Sequence, residues 1–256
     1  MSSRPGLLHR PSSIAAANKT IILVTGANTG IGLEIVKALA LASPQNHVLL
    51  GCRDTVKGED AAASIGALIN VNPIQLDIED DKSVEHAFLT INQYFGKLDV
   101  LINNAGTAGN HLPKDSTLRQ MFDHTLSVNV TSQAVLTHSL TPLLEKSQKP
   151  KVIFLSSSLG SVQKTLESSS KPWEGLWYTS SKTAVGGLTA WYAKTFPSWK
   201  VNAVCPGLRA TALHKSDVSG DETDPKFGAI RVVELVQEGL NGVTGTFSNE
   251  EGPVPW

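Results

Sequence analysis

The chain has 256 residues, 41% hydrophobic and 18% charged, with a formal net charge of −1. That content can bury one substantial core, while the near-neutral balance offers no basic field for a nucleic-acid backbone or an anionic membrane surface. Two separated cysteines and seven scattered histidines point to no disulfide framework and no metal site, and no stretch approaches the roughly 18 apolar residues of a membrane span.

Residues 1–18 carry Arg4, His9 and Arg10 and no acid, a composition shared with transit peptides. Pro5, Gly6 and Pro11 interrupt any amphipathic helix there, so a flexible N-terminal extension is expected, followed by one catalytic domain over 19–256. Free thiols fit a reducing compartment, the cytoplasm.

The apolar run Ile21-Ile22-Leu23-Val24 reads as a buried strand. It feeds Thr25-Gly26-Ala27-Asn28-Thr29-Gly30-Ile31-Gly32, and a helical pattern follows from Leu33. Such a turn gathers free backbone N–H groups at the positive end of a helix, where a dinucleotide pyrophosphate can approach without a side chain in the way. Gly26, Asn28, Thr29, Gly30 and Ile31 are therefore candidates for binding NAD(H) or NADP(H). The spacing is Gly-x-x-x-Gly-x-Gly rather than the generic Gly-x-Gly-x-x-Gly, and glycines also serve as ordinary punctuation between strand and helix.

A second strand is expected over 47–52 and a helix over 56–67. An NAD-specific site ends this strand with a carboxylate for the ribose 2′-hydroxyl; here Cys52 stands at that place and Arg53 follows, a guanidinium suited to a 2′-phosphate. NADPH/NADP+ is the expected cofactor, with Asp54 available to cap the next helix. Further strands are expected at 69–76, 98–103, 151–157, 199–205 and 244–247, separated by helices at 82–94, 118–144, 178–195 and near 229–238. Short apolar strands alternating with long helices predict a single α/β domain, a doubly wound parallel sheet of the Rossmann type. Cys52 and Cys205 should end strands in opposite halves of it and be unable to pair. The segments 160–177 and 212–226 read as loops at the ligand-binding edge.

Tyr178 and Lys182 stand four apart at the start of a helix, on one face. A neighbouring ammonium favours the phenolate, so Tyr178 is expected to ionise below its ordinary value, although such pairs also occur on helix surfaces without function. Asn129 inside a helix is an unfavourable choice that points to a role.

The glycine turn, Asn103-Asn104-Ala105-Gly106, Ser127-Val128-Asn129-Val130, Ser157-Ser158-Leu159-Gly160, Tyr178 with Lys182, and Pro206-Gly207 with Thr211 stand in one order and approximate spacing. In this the chain, over about 19–256, resembles the short-chain dehydrogenases/reductases. The resemblance implies a tetrad of Asn129, Ser157, Tyr178 and Lys182. Tyr178 would protonate a carbonyl oxygen held by Ser157, Lys182 would hold the nicotinamide ribose, and Asn129 would position a water. It further implies adenine contact from Asp77, cofactor contacts from Asn104, Ala105, Gly106, Pro206 and Gly207, a carboxamide contact from Thr211, and hydride from the B face.

Ser157 and Tyr178 are farther apart than is typical, which is similar to carbonyl-reductase-like members. The expected activity is NADPH-dependent reduction of a bulky ketone or aldehyde, an oxidoreductase acting on CH–OH/C=O. An alcohol dehydrogenase running oxidatively and a non-catalytic NADPH sensor are the alternatives, and a hydrolase lacks its Gly-x-Ser-x-Gly elbow. The implied partner is a small-molecule carbonyl substrate, with no nucleic acid and no membrane; a monomer or homodimer is expected, with the homotetramer left open. Trp173, Trp177, Leu208, Leu213 and Phe227 are apolar candidates for the substrate wall. Arg209 could face cofactor phosphate or an acidic substrate, or stand as a solvated loop charge.

Overall fold

The computed structural model describes residues 19–213 and 220–256; the N-terminal extension expected over 1–18 lies outside them. Apolar runs form seven parallel strands: β1 Thr20–Val24, β2 Asn46–Cys52, β3 Val71–Gln75, β4 Val100–Asn103, β5 Lys151–Leu155, β6 Lys200–Val204 and β7 Thr246–Asn249. A short β8, Gly252–Pro253, folds back antiparallel on β7, and the order across the sheet is β3-β2-β1-β4-β5-β6-β7-β8. The predicted doubly wound sheet is thus present, with β8 added.

Helices α1 Gly30–Ala42, α2 Thr55–Ser64 and α8 Pro225–Gln237 cover one face, burying Ile35, Val36, Leu39, Ala61, Val232 and Leu235. Helices α3 Asp81–Phe95, α5 Ser132–Leu144 and α7 Leu176–Thr195 cover the other, burying Ile91, Leu136, Leu140, Val185 and Tyr192. Central strands covered on both sides are apolar at nearly every position, which is why they read as continuous hydrophobic runs.

Four boundaries depart from the periodicity. The helix expected over 56–67 stops at Ser64, because Gly66 and Ala67 turn into the left-handed region (φ 93° and 46°). The segment 118–144 is not one α-helix: α4 Leu118–Leu126 and α5 are joined by a wide turn, Ser127–Thr131, in which Ser132 N–H reaches back to Ser127 O. The expected loop 160–177 contains a short helix, α6 Val162–Glu167, capped by the Ser161 side chain. The last helix begins at Pro225, because the Asp224 carboxylate accepts from Lys226 N–H ahead of a proline preset for the first turn.

Cys52 and Cys205 are buried and free, and β1, β4 and β5 lie between the strands they end. Among the described residues there is no cluster able to hold a metal ion and no helix long and apolar enough to cross a membrane.

Lys151, buried at the start of β5, donates to the carbonyls of Leu235 (2.9 Å), Val236 (2.6 Å) and Glu238, closing the C-terminal end of α8. Burial pushes its pKa down to about 8. Lys151→Met leaves those carbonyls without their donor and is expected to cost roughly 2–4 kcal/mol of unfolding free energy, read as a lower urea midpoint.

Candidate active site

The glycine turn is stitched to the end of β4. Thr25 Oγ1 accepts from the N–H groups of Asn104 (3.0 Å) and Ala105 (2.9 Å), and Asn104 Nδ2 donates to the carbonyls of Thr25 (2.8 Å) and Gly26 (3.2 Å). Gly26 has φ 60°, and a Cβ there would lie 2.9 Å from Ala105 Cα; one on Gly32 would lie 2.5 Å from Asn104 Nδ2. Thr29 precedes α1 in extended geometry without a side-chain cap, and the first turn carries no acid. The first N–H groups of a long helix thus stand ready for an anion.

A cleft of about 610 Å³ follows the carboxyl edge of the sheet. Along the sheet, Arg53 and Asp77 line it beyond β2 and β3, the glycine turn (Gly26, Asn28, Thr29, Gly30, Ile31) and Asn104, Ala105 and Gly106 beyond β1 and β4, and Tyr178, Lys182, Pro206, Thr211 and Leu213 on the side of β5 and β6. Among the described residues the Arg53 guanidinium has no ion pair, whereas Asp54 caps α2 through Val56 N–H and Lys57 N–H. The Asp77 carboxylate accepts from Glu79 N–H while its own N–H donates to Ser83 Oγ, so it serves its turn and the cleft together.

Tyr178 and Lys182 share the inner face of α7, with Lys182 Nζ 5.7 Å from the phenol ring centroid and donating to Leu155 O at 2.7 Å. Ser157 stands beside this group, where its hydroxyl favours the phenolate and accepts from Leu159 N–H. The turn Ser158–Gly160 lies flat on α7, where a Cβ on Gly160 would come 2.6 Å from the Lys182 carbonyl carbon. Burial pushes Tyr178 up to about 12, with the Ser157 hydrogen bond partly opposing it. Burial also pushes Lys182 down to about 8. The direction at Tyr178 is opposite to the expected acidification, because the ammonium lies over the ring and grips a backbone carbonyl while desolvation of the phenolate dominates.

Asn129 does not reach the cleft surface. Fully buried in the wide turn, its Oδ1 accepts from Thr107 N–H (2.8 Å) and its Nδ2 donates to Thr107 O (2.8 Å) and Ser181 Oγ (2.9 Å). It therefore ties the cleft wall at Thr107 to α7, beside Lys182.

Of the substrate-wall candidates, Leu213 lines the cleft, and Trp173 meets Tyr178 edge-on with centroids 5.8 Å apart. Trp177 donates to Ala108 O at 2.9 Å and walls a shallow groove of about 370 Å³ with Gly109 and Met121. Leu208 and Phe227 are not brought to the cleft: Leu208 is 53% exposed, and the Phe227 ring lies beneath Arg209 and Lys226. Arg209 is neither solvated nor turned to the cleft, being ion-paired with Glu250 at 2.9 Å. Gly207 packs under that guanidinium. Thr25 and Thr107 are positioning residues without a periodic sequence signal; the one local cue is that Thr25 stands directly before the first glycine.

A doubly wound sheet with a glycine turn, an uncapped helix end and, on its carboxyl edge, a buried Tyr178/Lys182 pair beside Ser157 has the architecture of a dinucleotide-dependent oxidoreductase. A family model described as short chain dehydrogenase matches residues 20–222. A short-chain dehydrogenase/reductase of Aspergillus fumigatus is 33% identical, covering 94% of this chain and 98% of that protein. Salutaridine reductase from Papaver somniferum is 28% identical over 88% of this chain and 92% of its own length, and its solved structure superposes with a TM-score of 0.77, covering 91% of this chain and all of that one. An NADPH-bound carbonyl reductase from chicken fatty liver superposes at 0.79 with 25% identity, covering 93% and 100% of the two chains. The chain belongs to the short-chain dehydrogenase/reductase family, whose members use nicotinamide cofactors to act on CH–OH or C=O groups.

Proposed function

We propose that the protein is a cytoplasmic NADPH-dependent reductase of bulky ketones or aldehydes. The observation that carries this is geometric: one cleft along the carboxyl edge of the sheet joins the glycine turn and the uncapped start of α1 to Tyr178 and Lys182, which share the inner face of α7. The uncapped start of α1 and the glycine turn fit a pyrophosphate, and Arg53, without a carboxylate partner, fits a 2′-phosphate. The family to which the chain belongs includes the two reductases named above, one of them solved with NADPH bound.

When bound, the reduced nicotinamide supplies hydride. Ser157 and Tyr178 hydrogen-bond the substrate oxygen, and Tyr178 delivers the proton as negative charge grows there. Lys182 offers positive charge behind the phenol and a donor to the cofactor ribose. Asn129 fixes the facing wall through Thr107. Trp173, packed on Tyr178, gives the substrate an aromatic neighbour.

Following NADPH and NADH absorbance over a panel of aliphatic, aromatic and polycyclic ketones tests the proposal. Consumption of NADPH with one ketone class is the expected outcome; consumption of neither cofactor would overturn it. Arg53→Glu is expected to lower kcat/KM with NADPH about 10- to 100-fold, the loss of a charge-assisted contact, while NADH changes little. An equal fall with both cofactors would remove Arg53 from 2′-phosphate recognition.

A further inference from the structure

Arg209 is a buried cation that the proposed chemistry leaves unused. Its side chain is 9% exposed, in the segment that follows β6 and carries the cleft-lining Pro206, Thr211 and Leu213. Nη2 pairs with Glu250 Oε1 at 2.9 Å, in the β7–β8 turn. Nη1 donates to Glu222 O at 2.9 Å and Leu208 O at 3.3 Å. Among the described residues Nε, also buried, has no hydrogen-bond partner.

The guanidinium rests on Gly207, whose φ is 75° and where a Cβ would stand 2.9 Å from Arg209 Cζ. Phe227 packs against it from α8. A second tie runs beside the first, from Ala210 N–H to Thr223 O at 2.7 Å. One side chain therefore fastens three segments: the rim after β6, the turn Asp221–Thr223 and the β7–β8 turn. Two residues farther on, Thr211 reaches over the glycine turn, its Cγ2 3.2 Å from where a Cβ on Gly30 would stand.

Burying a guanidinium is costly, and its carboxylate partner, Glu250, is 35% exposed, so the pair is weak evidence for stability alone. Leaving Nε unsatisfied adds to that cost. What the arrangement does supply is a fixed rim: the planar fork holds a carboxylate and two carbonyls in rigidly set directions, a geometry that the compact ammonium of a flexible lysine stem does not reproduce.

We infer that Arg209, braced by Glu250, is a positioning residue that holds the Pro206–Thr211 rim against the nicotinamide end of the cleft, so that it sets affinity for the whole dinucleotide and not for its adenosine half. This rests on the proposed use of NADPH. On the same reading the adenosine half falls to Arg53 and Asp77, which line the cleft beyond β2 and β3, away from β6.

Calorimetric titration of the full chain tests this, with NADPH and with adenosine 2′,5′-bisphosphate, a probe that carries the 2′-phosphate but no nicotinamide. Arg209→Met and Arg209→Lys are expected to raise the NADPH Kd about 10-fold or more, and Glu250→Gln by a few-fold, in line with losing charge-assisted hydrogen bonds from a preorganised rim. The bisphosphate Kd stays within about twofold of native in all three, which also shows that the variants are folded. Rescue by Arg209→Lys, equal weakening of both ligands, or no weakening of either would overturn the inference. Failure of the native protein to bind NADPH is a separate result, which removes the cofactor assignment and the clamp with it.

Discussion

Tyr178→Phe is expected to lower kcat for NADPH-dependent ketone reduction about 10³-fold while leaving the NADPH Kd within a few-fold of native. The substitution removes one oxygen from a buried ring that remains packed against Trp173 and over Lys182. The loss therefore falls on proton delivery and carbonyl polarisation. Single-turnover hydride transfer, followed by NADPH absorbance, isolates that step from binding and release. Retention of more than a tenth of the native rate would show that another donor protonates the product.

The pH profile separates the phenol from the ammonium. Reduction consumes the phenol proton, and the phenol stays protonated to about 12, so it imposes no limit across the neutral range. Lys182, held down to about 8, loses its charge first. Reductive kcat/KM is accordingly flat below pH 8 and falls above it as the ammonium behind Tyr178 is neutralised. Lys182→Met is slow throughout and loses the break.

The sheet was legible because its central strands are sealed on both faces, and sealing leaves few polar positions to interrupt runs such as Ile21 to Val24. The glycine turn and the Tyr178/Lys182 pair were legible for a different reason: each is local, its geometry contained within one turn of chain. What escaped notice depends on residues far apart in sequence. Arg209 and Glu250 meet only because β7 pairs beside β6, and that pairing turns an apparent loop charge into an ion-paired brace. Phe227 was misplaced with it, drawn under the guanidinium instead of into the cleft. The short α6 was missed because six residues carry too little periodicity to stand out from a polar insertion. The raised pKa of Tyr178 was unreadable too, since spacing reveals a nearby ammonium but not the desolvation that outweighs it.

Asn129 joins local and distant structure, and its removal is the second large effect. Asn129→Ala deletes three hydrogen bonds at a fully buried position and strands both the N–H and the carbonyl of Thr107. An unmet buried polar group costs about 1–3 kcal/mol, so roughly 3 kcal/mol or more is expected, a fall in Tm of about 6–12 °C for a domain of this size. Activity falls further than stability, because Thr107 and Ala108 line the cleft and a shift of an ångström in such a wall costs about 100-fold in rate. Asn129→Asp distinguishes a tie from a charge. Its carboxylate can still accept from Thr107 N–H, but the second oxygen faces the Thr107 carbonyl where Nδ2 had donated. Repulsion there should make the isosteric change about as damaging as alanine in both melting and turnover, whereas near-native behaviour of Asn129→Asp would mean that the acceptor alone holds the wall.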